Sequence, residues 1–157
     1  MPTPSKKTAT KPQEAIALLR ADHKAVSALF AEYQKARAPA QKKLIVSKIC
    51  TELCVHAQVE EEIFYPAVKQ ALKDKELVPE AIVEQATMKE LIAQVEGKEP
   101  DGEMFDAKVK VLSEYVKHHV KEEHTEMFPK AKGTKLDMLA LGGQMAERKK
   151  ALLAERA

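Results

Sequence analysis

HAQVEEEIFYP, residues 56–66, and HVKEEHTEMFP, residues 119–129, decide the fold. Each opens on a histidine, carries a glutamate four residues later and reaches a proline ten residues after the histidine. Residues four apart lie one above the other on the same helix face, so His56/Glu60 and His119/Glu123 each form a stacked polar pair. Both pairs sit within an apolar stripe of helical period. The first stripe runs Ile45, Ile49, Leu53, His56, Glu60, Ile63, and the second runs Phe105, Val109, Leu112, Val116, His119, Glu123, Met127. Such stripes mark the buried faces of helices.

The likeness extends outward. His23 lies 33 residues before His56, and Gln85 lies 34 before His119. His23 interrupts the stripe Ile16, Leu19, Val26, Phe30, and Gln85 interrupts Val78, Ile82, Met88, Ile92, Val95. The chain therefore reads as two copies of one helical hairpin, with Gln85 in the second copy where the first has His23. Pro12 suits the first turn of a helix that runs to about Arg37 and is broken at Ala38-Pro39. The second helix is expected from about Ala40 to Tyr65, where Pro66 ends or kinks it, with a shorter continuation to about Lys73. The third opens near Pro79 and stops at Gly97, before the loop signal GKEPDG. The fourth spans about Glu103 to Phe128, ended by Pro129 and Gly133. Four helices with short links predict an all-α, up-down antiparallel four-helix bundle over residues 12–132. Residues 1–11 read as a flexible tail, and residues 133–157 as an additional amphipathic C-terminal helix on the outside, broken in pattern by Gly142-Gly143.

Composition agrees. The 157 residues amount to one domain, with 45% hydrophobic residues, 4% aromatics and five glycines. Helix formers abound and strand formers are scarce. With Lys+Arg 26 against Asp+Glu 24, the chain demands no nucleic-acid face. No apolar run approaches a membrane span, and the Lys/Thr/Pro-rich start has no secretory h-region. Cys50 and Cys54, four apart on one helix, are read as small core residues, and a reducing, cytoplasmic location is the expectation.

A seam imidazole or carboxylate left unpaired in a core costs several kcal/mol. His23, His56, His119, Glu60 and Glu123 at one level must satisfy each other or hold an ion. Imidazole and carboxylate without thiolate suit iron, manganese or zinc. Ferritin-type bundles use Glu-x-x-His pairs at i,i+3, and the order here is reversed and one residue wider.

The segments LLRADHKAV (His23), CVHAQVEEEIFYPAV (His56, Glu60), VEQATMKELI (Gln85) and YVKHHVKEEHTEMFP (His119, Glu123) resemble the hemerythrin family, in its bacterial HHE cation-binding branch. The likeness covers roughly residues 13 to 130. It implies a non-haem di-iron site inside the bundle, with His23, His56 and His119 as terminal ligands and Glu60 and Glu123 as bridges. The family places a histidine where this chain has Gln85, a weaker donor. That substitution implies a more open or weakly held second ion, or a single metal, zinc and manganese included. By α-helical counting His124 points away from His119, and His118 only flanks it. Tyr65 and Tyr115 stay open as hydrogen-bonding partners. The expected function is binding or sensing of dioxygen, peroxide or nitric oxide at the metal. The alternatives are a peroxide-consuming di-iron enzyme, and a metal store or interaction module with a degraded site.

Overall fold

The computed structural model describes residues 13–156, so the expected N-terminal tail lies outside the described residues. Within them the chain is helical and contains no strand. The elements are α1 (Ala15–Lys35), α2 (Pro39–Val59), a π-helical turn at Glu60–Phe64, α3 (Tyr65–Leu72), α4 (Leu77–Val95), α5 (Glu103–Glu122), a second π-helical turn at Glu123–Met127, α6 (Phe128–Lys132) and α7 (Met138–Arg156). No helix of the described residues is long and apolar enough to cross a membrane.

Local chemistry sets the ends. Glu14 caps α1 by accepting from the Ala17 amide at 2.5 Å. Asp74 accepts from the Leu77 and Val78 amides at 3.1 and 2.8 Å and so starts α4 two residues before Pro79. Asp137 does the same for Ala140 at 3.0 Å at the head of α7. Side-chain oxygens of this kind satisfy the orphan amides of a first turn. Lys73, at φ 51°, closes α3 in the left-handed region.

Pro66 and Pro129 do not end their helices. Each follows a π-helical turn, and the helix continues to Leu72 and to Lys132. In a π turn the backbone bonds run i→i+5, so the ladder has already slipped by one residue where the proline withholds its amide. The slip also moves the apolar stripe. Phe64 and Tyr65 are buried, at 0% and 1% exposure, and Ile63 is only half-buried. On α4, Ala81 rather than Ile82 faces the core.

α1 packs on α2, α4 packs on α5, and α7 lies across α1 and α2. Two apolar clusters result. One gathers Ile16, Leu19, Val59, Phe64, Tyr65, Val68, Phe128 and Met145. The other gathers Phe30, Ile45, Ile49, Leu53, Ile92, Phe105, Val109 and Leu112. The polar seam residues form a layer between them. α7 reaches α1 through Gly142: a Cβ there would collide with the Gln13 carbonyl oxygen and stand 2.8 Å from the Ala15 nitrogen. The close approach therefore requires glycine.

Candidate metal centre

The layer brings together His23 of α1, His56 of α2, Glu60 and Glu123 of the two π turns, Gln85 of α4 and His119 of α5. Glu60, Gln85 and Glu123 are at most 1% exposed, and His56 and His119 are 8% and 4% exposed. His23 Nε2 lies 3.2 Å from His56 Nε2 and 3.5 Å from Glu123 Oε1. His56 Nε2 lies 2.8 Å from Glu60 Oε1, and His119 Nε2 lies 3.1 Å from Glu123 Oε1. All three imidazoles thus turn Nε2 toward the two carboxylates.

Their Nδ1 atoms turn outward, and each is held. Asp22 Oδ2 stands 2.9 Å from His56 Nδ1, and Glu84 Oε1 stands 3.1 Å from His119 Nδ1. His124 Nε2 stands 2.9 Å from His23 Nδ1. Asp22 is in turn tied to Lys149 of α7 at 2.5 Å. A partner on the far nitrogen fixes ring orientation and raises the basicity of the nitrogen that faces a metal.

Two atoms of the centre are out of step with α-helical counting. His124, five residues after His119, would point about 140° away on a regular helix. At the α5–π boundary it instead meets His23, with its ring tilted 34° to that of Phe128 at 5.3 Å. Tyr65, five after Glu60, places its hydroxyl 3.0 Å from His119 Nε2 and donates toward Glu123 Oε2 at 3.5 Å. Gln85 donates through Nε2 to Glu60 Oε1 at 2.9 Å and to the Tyr65 oxygen at 3.0 Å. Its amide nitrogen, rather than its oxygen, therefore meets Glu60. His118 stays outside, with a side chain 64% exposed. Tyr115 is on the surface. Cys50 and Cys54 are free thiols, and burial pushes Cys50 up to about 12, which keeps it protonated and inert.

The electrostatics describe a place made for added positive charge. Glu60 is pushed up to about 8, first by burial and then by the neighbouring Glu123 carboxylate. For Glu123 burial acts upward, but the neighbouring Glu60, His119 and His23 outweigh it and hold it well below the usual carboxylate range. The pair thus shares one proton, because two adjacent buried carboxylates resist double ionisation. Burial alone would lower the imidazoles. Glu60 and Asp22 nonetheless hold His56 well above its ordinary value, and Glu123 lifts His119 to about 9. Burial prevails at His23, whose value is lowered.

Three buried oxygens still lack a hydrogen-bond partner: Glu60 Oε2, Gln85 Oε1 and Glu123 Oε1. Glu123 Oε1 is near two imidazoles, but no donor hydrogen is aligned on it. Orphaned buried oxygens are costly, and a cation satisfies them together. The donors fall into two triads, His23/His56/Glu123 and Glu60/His119/Glu123, each with its atoms within 4.8 Å of one another. Glu123 belongs to both. The donor set therefore fits a divalent cation, and its division fits a pair of them.

Comparison with known proteins agrees with this geometry. A DNA nickase of Nostoc sp. strain PCC 7120 is 32% identical over 111 residues, which are 71% of this chain and 31% of that protein. The chain thus spans about a third of the length of the curated relative it matches. A crystal structure of a hemerythrin HHE cation binding domain-containing protein from Mycobacterium kansasii shares the fold, with a TM-score of 0.79 over 91% of this chain and 89% of that one, at 19% identity. The sequence profile of the hemerythrin HHE cation binding domain matches residues 14–131, which contain every donor named above, and the chain belongs to that family.

Proposed function

We propose that the centre holds two iron ions and binds a small ligand of the dioxygen, peroxide or nitric oxide type. The observation that carries this reading is a cavity of about 30 Å³ set directly against His23, His56, Gln85 and His119. The surface it presents is mostly apolar, from Val26, Leu53, Met88, Ile92 and Val116, with Asp22 and Lys89 also bordering it. As space open to the centre of a water molecule, roughly 10–15 Å³ is enough to hold one water, so the cavity has room for a diatomic ligand. Apolar walls favour a neutral gas over water. Gln85, an amide in the place where the internal repeat has His23, would give a second ion a weaker donor than an imidazole. Iron supplies the redox chemistry and the vacant position that such ligands require. The chain's own residues orient the imidazoles and exclude bulk water.

The test is anaerobic loading with ferrous iron, then elemental analysis and visible spectra with and without azide or nitric oxide. Two irons per chain, oxo-to-iron charge-transfer bands after oxidation and a ligand-dependent spectrum are expected. Substoichiometric iron, or a spectrum indifferent to both ligands, would overturn the proposal.

A second reading, a peroxide-consuming enzyme, is favoured by Tyr65. Burial and the two carboxylates hold its phenol well above the ordinary value, so it keeps a proton beside His119 and Glu123. Turnover of peroxide that falls in Tyr65→Phe at unchanged iron content would favour that reading, and equal turnover in both proteins would exclude Tyr65 as its proton source.

A further inference from the structure

α4 and α5 carry a second cluster at the surface, which shares only Glu84 with the buried centre. His118 Nε2 lies 3.0 Å from Glu122 Oε1 and 3.4 Å from Glu84 Oε2. The side chains of His118, Glu122 and Glu84 are 64%, 38% and 22% exposed, so bulk water reaches all three. Tetrahedral coordination with bonds of roughly 2.0–2.2 Å sets neighbouring donors about 3.3–3.6 Å apart. The observed spacings lie close to that, with sides left open for water. One imidazole and two carboxylates from two helices meet at a single point, and their donor atoms all fall within 4.8 Å.

The cluster is also connected inward. Glu84 offers Oε2 to His118 and Oε1 to His119 Nδ1, at 3.1 Å. A narrow cleft is lined by Glu84, Glu122, Met127, His119 and Glu123. Leu77, Glu84 and Glu122 of its lining are partly exposed, and His119, Glu123 and Met127 are buried. Glu123, at its buried end, is 1% exposed and turns its unpartnered Oε1 to His23 and His119 of the centre. A cation at the surface therefore has two carboxylates at the mouth of the cleft and a third at its buried end.

We infer that Glu84, His118 and Glu122 form a second, solvent-facing divalent-cation site, and that ions bound for the buried centre pass through it. This rests on the centre being a metal site. The transfer is ligand exchange only: water and the surface donors are replaced in turn by the buried ones, with no change of oxidation state. Hydrogen bonding of His118 to the two carboxylates alone would give the same distances, so the distinction is metal dependence.

The site itself is tested with zinc alone, by following the His118 ring nitrogens by NMR in the full chain. A zinc-dependent shift of Nε2 is expected in the wild type and in His56→Ala, where the buried centre is impaired, and its loss is expected in Glu122→Gln. No zinc response of His118 in the wild type overturns the site, whatever the buried centre does. The passage is tested by stopped-flow uptake of cobalt(II), read from its visible bands at the buried centre. Carboxylates that concentrate cations raise on-rates by roughly 10-fold or more. His118→Ala and Glu122→Gln should therefore slow uptake about tenfold and leave the final cobalt content of the centre unchanged. Equal rates overturn the passage. A wild-type centre that takes up no cobalt, iron or zinc overturns the proposed function and the passage together, while the zinc response of His118 still decides the surface site.

Discussion

Metal binding at this centre must expel protons, and the structure sets how many. Glu60 is pushed up to about 8 and His119 to about 9, so at neutral pH each holds a proton where a cation would sit. Both must be deprotonated to ligate. Below its own pKa each group costs a factor of ten in affinity per pH unit, about 1.4 kcal/mol. The sign follows: affinity rises with pH, steeply up to about 8, where Glu60 is half ionised, and less steeply to about 9. Between pH 6 and pH 8 the two groups together raise zinc affinity by roughly 10³–10⁴. At pH 7 about two protons should leave per centre filled, and His56, also held above its ordinary value, adds in the same direction. The assay is calorimetric titration with zinc in two buffers of different ionisation enthalpy, repeated at pH 6, 7 and 8. Release of fewer than one proton at pH 7, or an affinity that changes less than tenfold over the range, would refute the shared proton and the role of the carboxylate pair.

Asp22→Asn leaves His56 Nδ1 with a weaker partner and should lower metal affinity by about 10–100-fold, read by competition with a chelator, and unaltered affinity would show that Asp22 does not orient His56. Gln85→His should tighten the second ion, so that it fills at a lower free iron concentration, and weaken azide or nitric oxide binding. Two equally tight ions in the wild type would remove the basis for that expectation. Gly142→Ala sets a methyl group against backbone atoms of Gln13, Glu14 and Ala15, none of which can yield as a side chain does. A loss of about 2–3 kcal/mol is expected, some 5–10 °C in Tm, and a thermal melt that matches the wild type would contradict the close helix crossing.

The bundle was legible because its evidence is periodic: apolar positions at spacings of three and four, interrupted at one level by His23, His56, Glu60, Gln85, His119 and Glu123. All six side chains meet in the layer so defined. The partners on the outer nitrogens were not legible. Asp22, Glu84 and Lys149 are ordinary charged residues in sequence, and only the crossing of α7 over α1 and α2 gives Lys149 and Asp22 their meaning. His124 was hidden, and Tyr65 left undecided, for a different reason. Both stand five residues after a ligand-type residue, and a count of 100° per residue sends them elsewhere. Ile82 against Ala81 shows the limit of reading burial from hydrophobicity, since the smaller residue fills the tight side of α4.

The two π-helical turns give each of their helices two phases on one axis. Before Glu60 the inward side is set by Ile49, Leu53 and His56, and after it by Phe64, Tyr65 and Val68, which no single helical wheel accommodates. The upstream half is tuned to ion donors and the downstream half to the apolar floor beneath them, with the extra residue acting as a clutch between the two. Substitutions can therefore accumulate on one side of the turn without rotating the other. Relatives aligned across residues 60–65 or 123–128 are in register only if that slipped residue is aligned as well.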